Sequence, residues 1–306
     1  MGVVDNLKLE SSIKRCYSTW GKTYYEEYYS NKATYPPIHR EIIRGILRKH
    51  KVRYLLDAGC GPASFLRDMT KEGMELFGFD LTPEMVTEGQ RILAERGVPS
   101  DRIWQGSVLK INSFRVPGRK KALKFDACLC TGVLPHIPHE QTMTVFQNLR
   151  QAVKKNGLVI VEARNQLFSF FTLNRYSYQF FMDELIRVDH LKRKSGKRLN
   201  HLLKALKEMG RQFRLDLPPI RKGKNEEPGY DEVLSLTHNP LVLKEQFIRS
   251  GFKDVEILFY HYHWLPPILA SIVPEIFIKE SLAMENPYDW RGYFMASAFL
   301  ILGKRL

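Results

Sequence analysis

The sequence predicts an α/β fold, a doubly wound and mostly parallel sheet with helices on both faces. Three observations carry that expectation. Short apolar runs alternate with helical patterns from about residue 36 to Glu162, and strands separated by helices pair in parallel through crossovers. The first run leads into a glycine turn, Asp57-Ala58-Gly59-Cys60-Gly61. A second run, Phe77-Gly78-Phe79-Asp80, ends on a carboxylate.

Each element follows from its residues. Residues 1–34 are polar and tyrosine-rich, with Trp20, Tyr24, Tyr25, Tyr28 and Tyr29 at near-helical spacing, and form an N-terminal aromatic cap segment. Residues 36–50 read as an amphipathic helix with Ile38, Ile42, Ile43, Ile46 and Leu47 facing the core. Val52 to Leu56 suits a strand buried on both faces. Gly59 and Gly61 allow a sharp turn and the close approach of a ligand. Pro62 suits the first position of the next helix. Asp80 ends the following strand, where a carboxylate can accept from both hydroxyls of a ribose. A nucleoside-bearing cofactor is therefore expected. The Gly-x-Gly-x-x-Gly dinucleotide fingerprint is incomplete, because Ser64 stands where its last glycine would be.

Thr82 is expected to cap a helix from Pro83 to about Arg96. His139 to Lys155 reads as another helix, ended by Asn156-Gly157. Residues 165–237 then break the alternation with an aromatic part (Phe168 to Phe181), basic helices (Val188 to Met209) and a Pro/Gly-rich loop (Pro218 to Gly229). An insertion after the fifth strand lies at the carboxyl end of the sheet, where a helical substrate lid belongs. Residues 238–306 complete the sheet begun by 35–164, through a helix from Leu241 to Ser250 capped by His238-Asn239-Pro240 and a strand from Val255 to Tyr260.

These residues resemble the class I S-adenosylmethionine-dependent methyltransferases. Asp57-Ala58-Gly59-Cys60-Gly61-Pro62 is similar to their first motif, with Ala63 where a further glycine is common. Phe79-Asp80-Leu81-Thr82-Pro83-Glu84-Met85 is similar to the second. Gln105-Gly106-Ser107-Val108 falls where the third does, with Ser107 in place of the usual acid. Phe125-Asp126-Ala127-Cys128, Val133 to Pro138 and Asn156 to Glu162 resemble the fourth strand, the turn after it and the entry to the fifth. The resemblance covers residues 35–165 well and extends loosely through Gly251-Phe252 and a strand from Phe294 to Leu302. It implies a seven-stranded sheet whose last strand is antiparallel and forms a hairpin with its predecessor. It also implies S-adenosyl-L-methionine as cofactor. Asp57, Gly59 and Gly61 would hold the methionine end, and Asp80 the ribose. Leu81 and Met85 would sandwich adenine, with Ser107 and Val108 at its edge and Thr131 at the end of the fourth strand.

Composition agrees with a cytoplasmic enzyme. A chain of 306 residues can bury a full core, and 44% hydrophobic residues argue against disorder. Cys16, Cys60, Cys128 and Cys130 show no disulfide spacing, which suits a reducing compartment. Cys128-x-Cys130 lacks a second pair to complete a tetrahedral site, and no metal is expected. Met1 to Asp5 shows no secretory signal pattern. The apolar stretch Trp264 to Ile278 is broken by three prolines and is too short to span a bilayer. The net charge is +14, and between Arg187 and Lys224 thirteen Lys or Arg face three acids. Such a run is either a solvated helical surface or an electropositive wall for an anionic partner.

Methyl transfer needs a nucleophile, a methyl group and a sulfur in line, with water excluded. A hydroxyl acceptor also needs a base. His136 is the candidate, since the turn after the fourth strand faces the methyl group in this fold; its plainer role is packing near the cofactor. His139 reads as an exposed first-turn residue. His261 and His263, alternating with Tyr260 and Tyr262 at a strand end, are further base candidates whose plainer role is structural; His261 also counts as a substrate-binding candidate. Between Arg164 and Tyr178 the chain reads as lid packing through Phe168, Phe171, Tyr178 and Phe181, or as a substrate wall in which Arg164 or Arg175 pairs to an anion. Tyr24 and Tyr28 form a docked stripe or reach the cofactor's carboxylate.

The function expected is methyl transfer to a small molecule or biosynthetic intermediate, at oxygen before nitrogen, an anionic or lipid-associated acceptor being among the candidates. Peripheral contact with the inner face of a membrane is a variant, motivated by the basic helices and Trp264 to Leu269. Three rivals remain. An RNA methyltransferase is favoured by charge, but no RNA-binding module or Asn-Pro-Pro-Tyr-type signature is present, so nucleic acid is the weaker partner. A nicotinamide-dependent oxidoreductase is disfavoured by the incomplete fingerprint. The third is a cofactor-binding protein without catalysis.

Overall fold

The structure is a computed structural model that describes residues 6–30, 36–119, 121–189, 197–217 and 227–306. Met1 to Asp5, the run 190–196 within the basic stretch and most of the Pro/Gly-rich loop (218–226) lie outside the described residues. The chain divides into two compact units, one of residues 1–164, 220–258 and 298–306 and a smaller one of residues 165–219 and 259–297.

The larger unit is built on a seven-stranded sheet in the order β3-β2-β1-β4-β5-β7-β6. Its strands are β1 (Tyr54–Ala58), β2 (Glu75–Asp80), β3 (Ile103–Gln105), β4 (Phe125–Cys130), β5 (Val153–Arg164), β6 (Phe252–Tyr262) and β7 (Ala296–Arg305). β1 pairs in parallel with β2 and β4, β3 with β2, and β5 with β4. β7 runs antiparallel to β5, with Leu158 opposite Lys304 and Arg164 opposite Ala298. The central strands are apolar on both faces, as helices on either side require. Leu55, Leu56, Ala127, Leu129 and Ile160 are wholly buried. The strand order reverses between β1 and β4, so a crevice opens beyond their carboxyl ends.

Several local expectations change. β6 and β7 are sheet neighbours, but residues 263–295 separate them, so they form no tight hairpin. Phe294 lies in a helical turn before β7. Pro62 sits in a turn; the helix α4 (Ser64–Met69) begins two residues later, after Ala63 adopts a left-handed conformation. Thr82 occupies the N-cap position of α5 (Pro83–Ala94), but its side chain makes no capping bond to that helix. The helix after His136 begins as a single turn at His139–Gln141 and continues as α6 (Thr142–Ala152). It ends before Lys155 because Val153 pairs with Phe125, pulling the chain into the sheet. Asn156, at φ 61, belongs to the irregular start of β5 rather than to a helix cap.

The N-terminal segment is more helical than its polarity suggested. It forms α1 (Asn6–Tyr17) and the short α2 (Tyr24–Tyr28), ahead of α3 (Ile38–Lys49). Leu9, Ile13, Cys16 and Trp20 recur at helical spacing, and the last three are buried. Trp20 and Cys16 pack in one cluster with Met85, Tyr230 and Val233. All four cysteines are buried, and none is in a disulfide among the described residues.

The smaller unit has its own aromatic core. Phe170 meets Phe180, Phe181 and Phe294 at ring-centroid distances of 4.9, 5.4 and 6.3 Å. Asn165 anchors the unit by donating from Nδ2 to the carbonyls of Gly292, Tyr293 and Ala296. The basic helix Lys197–Met209 and the helix Pro274–Ala283 complete it. Among the described residues no helix is long and apolar enough to cross a membrane.

Candidate active site

One cleft in the larger unit gathers the loops that leave β1, β2, β3 and β4. From β1 come Asp57, Gly59 and Gly61, and from β2 come Asp80, Leu81 and Met85. Ser107 and Val108 follow β3, and Thr131 and His136 follow β4. Tyr24 of α2 joins them. These eleven residues were all read from the sequence as cofactor or catalytic positions. Tyr28 takes another place, 43% exposed and stacked on Trp20.

The floor is a tightly bonded turn. The N–H groups of Gly59 and Cys60 both donate to the Phe79 carbonyl, tying the turn to β2. Gly59 has φ +88, and a Cβ there would lie 2.2 Å from Val133 Cγ2. Only glycine fits that approach. Asp80 Oδ2 accepts from Gly61 N–H at 2.8 Å and Oδ1 from Thr82 N–H at 2.9 Å. Burial raises the Asp80 pKa, while these bonds pull it back down. Each oxygen keeps a further lone pair for a ligand hydroxyl.

Asp57 and Ser64 each bring to the cleft a buried oxygen without a hydrogen-bond partner among the described residues. Asp57 is 1% exposed, and the oxygen concerned is its Oδ1. Burial, helped by the charge of Asp80, pushes its pKa up to about 7. A buried acceptor of this kind calls for a cationic donor from a ligand. The ammonium of a methionine moiety supplies one, so the residues present fit the cofactor that the motifs imply.

His136 is buried and lines the same cleft. Its Nδ1 lies 2.7 Å from the Leu234 carbonyl, which only accepts, so Nδ1 carries the proton. Nε2 is then an acceptor, and Tyr17 Oη donates to it at 2.9 Å. Burial lowers the His136 pKa to about 4, more than the Leu234 bond raises it, so the ring is neutral at physiological pH. Burial raises the Tyr17 and Tyr24 hydroxyls well above the ordinary phenol value.

Arg164 does not line the cleft. Its guanidinium donates to Ser235 Oγ at 2.7 Å and lies 4.8 Å from the centre of the Tyr230 ring. Tyr230 in turn packs edge-on to His136. Arg175, Tyr178 and His261 belong to the smaller unit. Arg175 stacks on Tyr176, Tyr178 donates to the Leu206 carbonyl, and His261 packs against Tyr260 at the end of β6. His139 is exposed, and His263 is half-buried in the smaller unit beside Phe168 and Phe277.

Sequence reasoning missed Glu10, Ile13, Tyr17 and Tyr29, which also line the cleft. The first three lie on one face of α1. The spacing of Leu9, Ile13, Cys16 and Trp20 was the available signal, hidden among charged residues.

Comparison with known proteins bears on the domain and the fold. A family model described as a methyltransferase domain matches residues 55–157, from β1 into β5. Two ubiquinone biosynthesis O-methyltransferases, from Histophilus somni (strain 2336) and Xanthomonas axonopodis pv. citri (strain 306), are 24% and 25% identical over 137 residues. The matches cover 44% and 45% of this chain and 55% and 53% of the relatives, so the chain spans about half the length of the curated relatives it matches. The solved structure of magnesium protoporphyrin IX methyltransferase from Synechocystis PCC 6803 with bound SAH superposes with a TM-score of 0.50 at 12% identity. That match covers 97% of this chain and 100% of the other, and it shows a shared fold. Residues 55–157 thus match a methyltransferase domain, and the glycine turn and acidic strand end of that stretch lie in one cleft.

Proposed function

We propose that the chain binds S-adenosylmethionine and transfers its methyl group to an oxygen of a small molecule. The observation that carries this reading is the pair of carboxylates in one cleft, Asp57 buried and Asp80 half-buried. Asp57 faces it with an unpartnered oxygen, and Asp80 holds the end of β2 beside the glycine turn. Asp57, Gly59 and Gly61 hold the methionine end, and Asp80 accepts from the ribose. Leu81 and Met85 enclose the base, with Ser107 and Val108 at its edge, Thr131 beside the reacting end and Tyr24 near the carboxylate. The bound cofactor supplies an electrophilic methyl group on a sulfur that leaves readily.

The relatives' methylation of oxygen and the state of His136 support an oxygen acceptor. A hydroxyl must lose its proton as its oxygen attacks. His136 Nε2 is a neutral acceptor already bonded to Tyr17. The acceptor's proton therefore passes to the Tyr17 oxygen as the Tyr17 proton moves to Nε2, and Leu234 holds the ring in the required tautomer.

Calorimetry with S-adenosylmethionine and with NADH tests the cofactor. Wild type is expected to bind the former and not the latter, and Asp80→Ala to weaken binding by on the order of a hundredfold. Preference for NADH would reject the reading.

A membrane-associated acceptor is a second reading, favoured by one observation. In the smaller unit Ile272, Tyr288 and Trp290 are 71%, 73% and 70% exposed; Lys279 of the same unit is exposed, while Arg291 is ion-paired with Asp289. Exposed apolar and aromatic side chains suit a lipid surface. Sedimentation with anionic but not neutral vesicles is expected, and recovery entirely in the supernatant would remove this reading.

A further inference from the structure

The third motif of this chain has a serine where an acid is usual, yet the cleft does not lack a carboxylate there. Glu10 of α1 lines the cleft, and its Oε1 accepts from the Ser107 hydroxyl at 2.7 Å. Its side chain is 13% exposed, and Lys110 Nζ lies 3.9 Å from Oε2. Ser107 is itself held in place, its N–H donating to Ser113 Oγ at 3.0 Å. With Asp80 on the ribose, the base must extend away from the glycine turn, between Leu81 and Met85 on one side and the 106–108 loop on the other. Glu10, bonded to Ser107, borders that space.

We infer that Glu10 is a specificity residue for the nucleobase, accepting from the exocyclic amino group of adenine in place of the acid absent at Ser107. This assignment rests on the cofactor reading above. The hydroxyl of Ser107 donates to one lone pair of the carboxylate, orienting it, and leaves the rest to accept from the base. Glu10, Ile13 and Tyr17 lie at i, i+3 and i+7, on one face of α1. One helix thus brings both base recognition and the partner of His136 to the cleft.

Titration of the full chain with S-adenosylhomocysteine and S-inosylhomocysteine tests the assignment. The inosine analogue has a carbonyl oxygen where adenine has its amino group, so an acceptor carboxylate loses its donor. Wild type is expected to favour the adenine ligand by on the order of tenfold or more. Glu10→Gln, whose amide can donate or accept, is expected to lose that preference, with an unchanged melting temperature showing that it folds. Ser107→Asp in the Glu10→Gln background is expected to restore it. A preference retained in Glu10→Gln, or an equal weakening of both ligands, overturns the assignment and leaves Glu10 only pinning α1. If wild type binds neither ligand, the cofactor reading fails and this assignment fails with it.

Discussion

His136→Asn is expected to lower the rate of methyl transfer to a hydroxyl acceptor by about 10²- to 10⁴-fold, the usual worth of a positioned base. Cofactor affinity should change little. Asparagine keeps a donor for the Leu234 carbonyl and removes the Nε2 acceptor, so the substitution isolates the proton-accepting role. Tyr17→Phe should produce a similar loss. The double variant should lose no more than the worse single one, because residues that act as a unit are not additive. The pH profile carries a second signature. The histidine is held at about 4, below its ordinary value, so its basic form persists down to that pH. An acidic limb near 6.5 in the rate should therefore be absent. Rates within a few-fold of wild type in both single variants would reduce His136 to packing.

Asp57→Asn is expected to cost cofactor binding on the order of a hundredfold and, in the ligand-free protein, to raise stability at neutral pH. The carboxyl is held at about 7, above its ordinary range, chiefly by burial. The folded state therefore keeps a proton that the unfolded chain releases above about pH 4. Stability falls as pH rises from about 4 to about 7, and above that the whole penalty is present, roughly 4 kcal/mol at most. Asparagine carries no such penalty. The difference in unfolding free energy between variant and wild type should grow from small at pH 4.5 to its full size at pH 8, read by urea denaturation at both. A ligand ammonium favours the carboxylate, so cofactor binding near pH 7 should release protons in wild type. A pH-independent difference would mean that Asp57 is ionised without cost.

Much of this site was legible because its chemistry lies in consecutive residues at strand ends. Asp57 to Gly61, Asp80 to Met85 and Ser107-Val108 each sit on one loop, and parallel pairing brings those loops together whatever the details of the helices. Tyr17 and Glu10 were not legible in the same way. Each acts through a partner 119 or 97 residues away, and neither residue type signals a site by itself. Arg164 shows the opposite failure. A cation directly after a central strand reads as a substrate contact, but a hydroxyl and an aromatic ring on a distant loop engage it. The end of the helix before β5 was misread because local turn chemistry at Asn156-Gly157 yields to strand pairing at Val153.

The sheet order bears on how the chain comes to fold during its synthesis. β6 lies at the edge with β7 as its neighbour, and β7 emerges from the ribosome only after residues 263–295. The parallel strands β1 to β5 can zip together as they appear, whereas β6 must wait with its backbone groups unpaired and open to wrong partners. Phe247 of the preceding helix stacks on Phe252 with centroids 4.1 Å apart, and that contact spans only five residues. The nascent edge therefore carries its own local cover, a temporary shelter that can form before its permanent neighbour exists.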